Sequence, residues 1–144
     1  MTEAFVAIGL SHDAARQRLE KSPATSAVRV VRGDMHELPF EDASFDDALL
    51  LNALQHSQQP ERALAEAARV LRAEGRLLVV TLAEHDHLAL TSDYGHLNAG
   101  FAADTLARTL SAAGFHVQRC AVTSRERRKP NFRVITAIAR RSLS

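Results

Sequence analysis

The distribution of apolar residues predicts short strands that alternate with helices along the chain. Apolar runs lie at Phe5–Ile8 and at residues 28–31, 46–51 and 76–82. The last two runs are apolar without alternation, as expected of parallel strands that are covered on both faces. Such strands need helices on both sides of their sheet. The pattern therefore predicts an α/β fold whose sheet is mostly parallel.

Helical cover is predicted between these strands. Ser11 is a suitable N-cap for a first helix, which follows the first strand. A second helix begins at Ser57 or Gln58 and is stopped by Gly75. A third helix is predicted over residues 104–113, because Gly follows its last residue. Each helix connects two strands, as in a doubly wound sheet.

Two later segments alternate between apolar and polar residues and differ from the strands before them. Residues 115–123 and 132–139 predict an antiparallel pair that flanks a basic loop at residues 125–129. Residues 84–98 are polar and predict a loop or irregular lid. Ligands of such sheets bind at the carboxyl ends of the parallel strands. Functional residues are therefore expected in the loops that follow the strands.

Composition narrows the class of protein. The 144 residues, 46% of them hydrophobic, suit a single domain over residues 1–144. A net charge of +1 gives no reason to expect nucleic acid as a partner, and the basic loop is interrupted by Glu126. The single cysteine, Cys120, excludes an intrachain disulfide and favours a cytoplasmic setting. No apolar run reaches membrane-spanning length, so no membrane is expected as a partner.

Three segments together resemble class I S-adenosylmethionine-dependent methyltransferases. They are RGDMHELPF at residues 32–40, FDDALLLN at residues 45–52 and RVLRAEGRLL at residues 69–78. The resemblance implies a Rossmann-like methyltransferase fold, S-adenosylmethionine as cofactor and a small-molecule substrate as methyl acceptor. YGHLNAGF at residues 94–101 and KPNFRV at residues 129–134 are similar, more narrowly, to methyltransferase domains fused to arsenical-resistance-type repressors.

The resemblance implies adenosyl-binding residues after the first two strands. Asp34 and Met35 match the positions that read adenine, whose edge offers a donor amine beside an acceptor nitrogen. The alternative is that Asp34 only caps the turn after Gly33. Gly9 stands where the family places an acid for the ribose hydroxyls, so ribose recognition is weakened. Leu10 beside it is suited to packing on the adenine face.

The resemblance also implies residues at the sulfonium end of the cofactor. Leu51, Asn52 and His56 follow the third strand, where the family's loop borders the cofactor and the methyl acceptor. A neutral imidazole at His56 can accept a proton from a nucleophile, although proximity alone suffices for many such reactions. The alternative is a residue that packs at a helix start. Four residues of the polar segment carry groups that can bind a metal but have no diagnostic ligand spacing, so a polar lid is favoured over a metal site. They are His85, Asp86, His87 and His96.

The match begins after the family's first strand and glycine-rich loop, and we expect the sheet to lack both. In the family that strand lies between those assigned here to Val6 and Leu50. Either direct pairing of these neighbours or a homodimer would close the gap. Three alternatives follow: a non-catalytic truncated domain that acts as an interaction or dimerisation module, a start upstream of Met1, and a degenerate glycine-rich turn at residues 7–12.

Overall fold

The computed structural model describes residues 5–8 and 31–143, and within them five strands form one sheet. The strands are β1 (Phe5–Ile8), β2 (Phe45–Leu51), β3 (Leu71–Leu82), β4 (Phe115–Arg125) and β5 (Arg133–Arg141). Their order across the sheet is β1-β2-β3-β5-β4. β1, β2 and β3 are parallel, whereas β5 is antiparallel to both β3 and β4. The predicted α/β fold with an antiparallel C-terminal pair is confirmed, although only half of the described pairings are parallel.

Three helices and two 3₁₀ turns connect the described strands. The helices are α1 (Pro60–Val70), α2 (Leu88–Thr91) and α3 (Ala103–Ala112), and the 3₁₀ turns are Leu54–His56 and Ser92–Tyr94. Pro60 occupies the first turn of α1, where its missing N–H leaves no helical bond unmade. The buried stripe of α1 consists of Ala63, Leu64, Ala67, Ala68 and Val70.

The helices α1 and α3 contact each other, so they cover the same face of the sheet. Burial alternates along the central strands: Ala48 and Leu50 of β2 and Leu77 and Val79 of β3 are buried, whereas Leu49 and Leu78 between them are half-buried. Full burial of one leucine stabilises the fold by roughly 1.5–3 kcal/mol. The predicted first helix, after Ser11, lies outside the described residues.

The boundary between α1 and β3 differs from the prediction. The helix ends at Val70 and β3 starts at Leu71, not at residue 76. Between Leu71 and Arg76 the register with β2 shifts. Glu74 lies in the left-handed region there, with φ 63°. A Cβ on Gly75 would lie 2.8 Å from the carbonyl oxygen of Arg72, so the glycine permits this close approach. The predicted helix stop is therefore an irregularity inside an extended strand.

The N-terminal strand pairs directly with the centre of the sheet. In β1, Val6 is opposite Ala48 and Ile8 is opposite Leu50. Direct pairing of these two strands was one of the two predicted ways of closing the gap, and the other, a homodimer, stays a prediction. The strand predicted at residues 28–31 is not confirmed: its first three residues lie outside the described range, and Val31 belongs to no strand and is 43% exposed.

Within residues 5–8 and 31–143, no helix combines the length and the apolar character needed to cross a membrane.

Candidate functional site

The carboxyl end of β2 presents two of the predicted site residues. Leu51 is 42% exposed and therefore lies outside the core. Asn52 follows it with φ 53°, a left-handed conformation that asparagine tolerates better than most residues. Its backbone N–H donates to the carbonyl of Val80 at 2.8 Å. Leu51 and Asn52 thus lie at the edge where the parallel strands β2 and β3 end.

Asp34 and Met35 lie in a tight turn that the backbone of Glu37 closes by donating to the carbonyl of Asp34 at 3.0 Å. The Oδ1 atom of Asp34 accepts the backbone N–H of His36 at 2.8 Å. This hydrogen bond is the main reason that the pKa of the Asp34 carboxyl is below its usual range. Asp34 therefore does cap a turn, as the alternative interpretation proposed, but it does so with one oxygen only.

The ring of His36 joins this turn to the loop after β2. Its Nδ1 lies 2.7 Å from Oδ1 of Asp34, and its Nε2 lies 2.6 Å from Oγ of Ser57. The imidazole is mostly covered, with 19% of the side chain exposed, and Ser57 is fully buried. Neither His36 nor Ser57 was among the predicted site residues. A polar residue two positions after Asp34 was the only sequence signal for His36.

A second contact fixes the same turn from the side of α1. Glu66 accepts the backbone N–H of Leu38 at 2.7 Å, and Arg69 donates to the Leu38 carbonyl at 3.0 Å. The two side chains pair with each other at 2.6 Å. The hydrogen bond from Arg69 keeps the pKa of the Glu66 carboxyl low. We call these three residues the Leu38 clamp.

His56 connects the loop after β2 to the lid, residues 84–98. Its Nδ1 lies 3.0 Å from the carbonyl oxygen of Gly95, and its ring packs edge-on against that of His96, with centroids 4.7 Å apart. Because a carbonyl only accepts, Nδ1 carries the proton and Nε2 keeps a lone pair. Burial lowers the pKa of His56, so the ring is neutral at pH 7.

The end of the lid is tied to the same loop. The Asn98 side chain donates to the carbonyls of Leu54 and Ser57, both at 2.9 Å. The backbone N–H of Leu97 donates to Gln55 at 2.8 Å. The Gln55 side chain in turn accepts from the buried hydroxyl of Thr81 at 2.8 Å. The lid is therefore anchored to the loop that carries Asn52 and His56.

The lid histidines form no metal site in the part of the chain that the structure describes. No group of three or more His, Cys, Asp or Glu is arranged there to hold an ion. His85 packs edge-on against Phe132 with centroids 4.7 Å apart, beside a polar cavity of about 290 Å³. Burial lowers the pKa of His85 and of His96, so both rings are neutral at pH 7.

The structure brings some of the predicted residues together and leaves others undescribed. The His36–Ser57 contact places the turn of Asp34 beside the loop that follows Asn52. Gly9 and Leu10 lie outside the described residues. A groove of about 570 Å³ runs between this turn and α1, but its lining includes neither Asp34 nor Asn52. The predicted site is thus distinct from that groove.

The exposed groups of the Asp34 turn fit the adenine edge of an adenosyl cofactor. The side chain of Asp34 is 65% exposed, and within the described residues its Oδ2 has no hydrogen-bond partner. The same range holds no acceptor for the backbone N–H of Met35. A free carboxylate oxygen and a free N–H at adjacent positions match an amine donor beside a ring-nitrogen acceptor.

Comparison with known proteins places the chain among methyltransferases. Residues 3–79 match the family described as "Methyltransferase domain". A 37.1 kDa protein of unknown character in transposon TN4556 of Streptomyces fradiae is 49% identical over 83 residues, which cover 58% of this chain and 22% of that protein. The ubiquinone/menaquinone biosynthesis C-methyltransferase UbiE of Rhizobium etli is 37% identical over 78 residues, which cover 54% of this chain and 30% of that protein. The chain thus spans less than a third of these relatives.

A solved structure shows the same fold. The geranyl diphosphate C-methyltransferase of Streptomyces coelicolor, determined with S-adenosyl-L-homocysteine, superposes with a TM-score of 0.76 and 11% identity, covering 97% of this chain and 71% of that one. S-adenosylmethionine is the cofactor of this family. Because the family match extends over more than half of its residues, the chain belongs to the methyltransferase-domain family.

Proposed function

We propose that this chain binds S-adenosylmethionine at the carboxyl edge of its sheet and transfers the methyl group to a small-molecule acceptor. The observation that carries the proposal is that Oδ2 of Asp34 and the backbone N–H of Met35 have no hydrogen-bond partner among the described residues, in a turn held next to the loop after β2. When bound, the cofactor supplies a methyl group already activated by its sulfonium. The chain itself has to bind the cofactor, align its methyl group with the acceptor and exclude water.

Each named residue has a defined part in this proposal. Oδ2 of Asp34 accepts the adenine amine, and the N–H of Met35 donates to the ring nitrogen. Leu51 and Asn52 border the sulfonium end. Ribose binding is weakened because Gly9 offers no carboxylate. We therefore expect a dissociation constant in the micromolar range or weaker, and not a nanomolar one.

The exposed side chains of the lid favour a largely apolar methyl acceptor. The lid exposes four large apolar side chains, by 43, 47, 73 and 52% in chain order: Leu88, Leu90, Tyr94 and Leu97. The lone pair on Nε2 of His56 lies in the adjoining loop and is suited to accepting a proton from a hydroxyl nucleophile. The proposed acceptor is therefore an apolar molecule with an ionisable hydroxyl group.

Calorimetric titration with S-adenosylhomocysteine tests the cofactor part. We expect the wild type to bind and Asp34→Ala to bind about tenfold more weakly, which corresponds to about 1.4 kcal/mol. Asp93→Ala, which removes an exposed carboxylate from the lid, is the matched control and should bind as the wild type does. A wild type without binding heat would support the competing function, a non-catalytic interaction module.

The acceptor part has its own experiment. Transfer of a labelled methyl group from S-adenosylmethionine is measured with a panel of apolar phenols and a panel of small polar amines. We expect turnover only with the phenols, and a lower kcat for His56→Gln with cofactor affinity unchanged. Turnover of the amines alone would contradict the proposed acceptor class and leave the cofactor proposal standing.

A further inference from the structure

A continuous series of hydrogen bonds runs from the turn that carries Asp34 into the core. It consists of Asp34, His36 and Ser57, with successive side-chain distances of 2.7 and 2.6 Å. An ionised carboxylate only accepts, so in the tautomer that fits this arrangement the ring proton lies on Nδ1. Nε2 then accepts the hydroxyl proton of Ser57. The Ser57 oxygen is also used, since it accepts the backbone N–H of Gln59 at 3.0 Å.

This arrangement has the composition of a nucleophilic triad but not its accessibility. Ser57 is 0% exposed, and its hydroxyl is engaged both as donor and as acceptor. A substrate carbonyl therefore has no access to its oxygen, which nucleophilic catalysis requires. The exposed end of the chain is instead the carboxylate of Asp34. Because the serine is the buried end and the carboxylate the exposed end, the arrangement indicates that these hydrogen bonds hold the carboxylate in place.

Ser57, at the buried end, is itself held in place by hydrogen bonds. The carbonyl of Ser57 accepts from Asn98 at 2.9 Å, and the same amide nitrogen donates to Leu54. Ser57 is thereby held by the lid and by the 3₁₀ turn at once. Functional groups keep their geometry when a second layer of hydrogen bonds fixes their rotamers. His36 transmits the position of this fixed serine to Asp34.

We propose that His36 is a positioning residue of the adenosyl site. By engaging Oδ1 of Asp34 through both its backbone N–H and its ring, it fixes the carboxylate rotamer and leaves Oδ2 for the adenine amine. Its bond to Ser57 sets where that oxygen lies relative to the loop after β2. This inference rests on the proposed function, because it assumes that Asp34 binds the adenosyl group.

Three variants separate the contact of His36 with Asp34 from its contact with Ser57. His36→Asn keeps a donor near Oδ1 of Asp34 but is too short to reach Ser57. His36→Gln is long enough to reach Ser57 but removes the side-chain donor to Asp34, while the backbone N–H stays in place. Ser57→Ala removes the partner of the ring at its buried end. We expect the dissociation constant for S-adenosylhomocysteine to rise about tenfold for His36→Gln and about threefold for each of the other two. His116→Gln, on the exposed edge strand β4, is the matched control and should change nothing.

A double-variant cycle distinguishes positioning from a general structural role. If His36 acts through Asp34, then His36→Gln has no further effect on affinity once Asp34→Ala is present. A general loss of structure would weaken binding additively in that background. Thermal melts of every variant confirm that each is folded at the titration temperature.

The outcomes separate the two proposals. If His36→Gln binds S-adenosylhomocysteine as tightly as the wild type does, His36 is not a positioning residue. Additive losses in the cycle have the same meaning, and in both cases the proposed function stands. No binding by the wild type overturns the proposed function and this inference together.

Discussion

The Nδ1 atom of His56 lies 3.0 Å from the carbonyl oxygen of Gly95, which joins the loop after β2 to the lid. The ring of His96 packs against that of His56. Burial lowers the pKa of both imidazoles below the ordinary value of 6.5. The same cause lowers the pKa of His85, with His87 adding to the effect and Asp86 opposing it. The lid therefore packs with imidazole rings that are half-buried and in the neutral form.

Stability is expected to fall in mild acid. The unfolded chain binds protons at these histidines as pH falls through about 6.5, whereas the folded chain, with lowered pKa values, does not. Their contribution is complete above that pH and is lost below it. Thermal melts between about pH 7.5 and pH 5 measure the slope. His96→Gln should flatten it and the exposed His116→Gln should not, and equal slopes for both would contradict the assignment.

Replacing Glu74 by glycine is expected to stabilise the fold. Glu74 has φ 63°, which costs a residue with a Cβ roughly 1–2 kcal/mol. Part of this gain is offset by the greater freedom of glycine in the unfolded chain. Urea unfolding should show Glu74→Gly to be about 0.5–1 kcal/mol more stable. Glu41→Gly, at an exposed residue without positive φ, should instead be destabilised, and the same gain at both positions would refute the explanation.

The Leu38 clamp is expected to contribute measurably to stability. In Glu66→Ala the backbone N–H of Leu38 loses its acceptor and Arg69 loses its main partner. A covered donor without a partner costs about 1–3 kcal/mol. Glu61→Ala, an acidic residue in the first turn of the same helix, should change the free energy of unfolding by less than about 0.5 kcal/mol. A loss at Glu66 no larger than that at Glu61 would mean that the clamp is not stabilising.

The buried pair of Thr81 and Gln55 allows a test with an almost isosteric change. Thr81→Val removes the hydroxyl that Gln55 accepts from at 2.8 Å, in a position that is 0% exposed. The amide oxygen is then buried without a donor, which costs about 1–3 kcal/mol. Thr123→Val, at an exposed cross-strand pair with Thr136, is the control and should be nearly neutral. Chemical denaturation that shows Thr81→Val to be as stable as the wild type would contradict the importance of this bond.

Hydrophobic patterning predicted the described strands well because burial in a sheet depends mainly on local sequence. The runs at β1, β2 and the C-terminal pair were found with boundaries shifted by a few residues. The start of β3 was missed because Gly75, expected to stop a helix, instead permits a close backbone approach within a strand. Gly and Pro mark a break in regular structure, but tertiary contacts decide which kind of break it is.

The candidate site was only partly predictable. Asp34, Asn52 and His56 were predicted from their places after strands and from the resemblance, and their roles in binding stay predictions. His36 and Ser57 were missed, since 21 positions separate them and their contact depends on how two loops pack. The pairing of His56 with Gly95, 39 positions later, was missed for the same reason. Sequence spacing carries no information about such contacts between loops.

By itself, the sequence determined the alternation of strands and helices, the antiparallel end of the sheet and the membership in a methyltransferase family. These features follow from residue-level burial and from motifs that are short and contiguous. Only the tertiary structure decided that β1 pairs directly with β2 and that one oxygen of Asp34 is engaged while the other has no partner in the described part of the chain. The strand pairing depends on hydrogen bonds between distant segments. The Asp34 carboxylate is engaged locally, by His36, but the ring of His36 is in turn held by Ser57, 21 positions away, and that partner is fixed only when the chain packs.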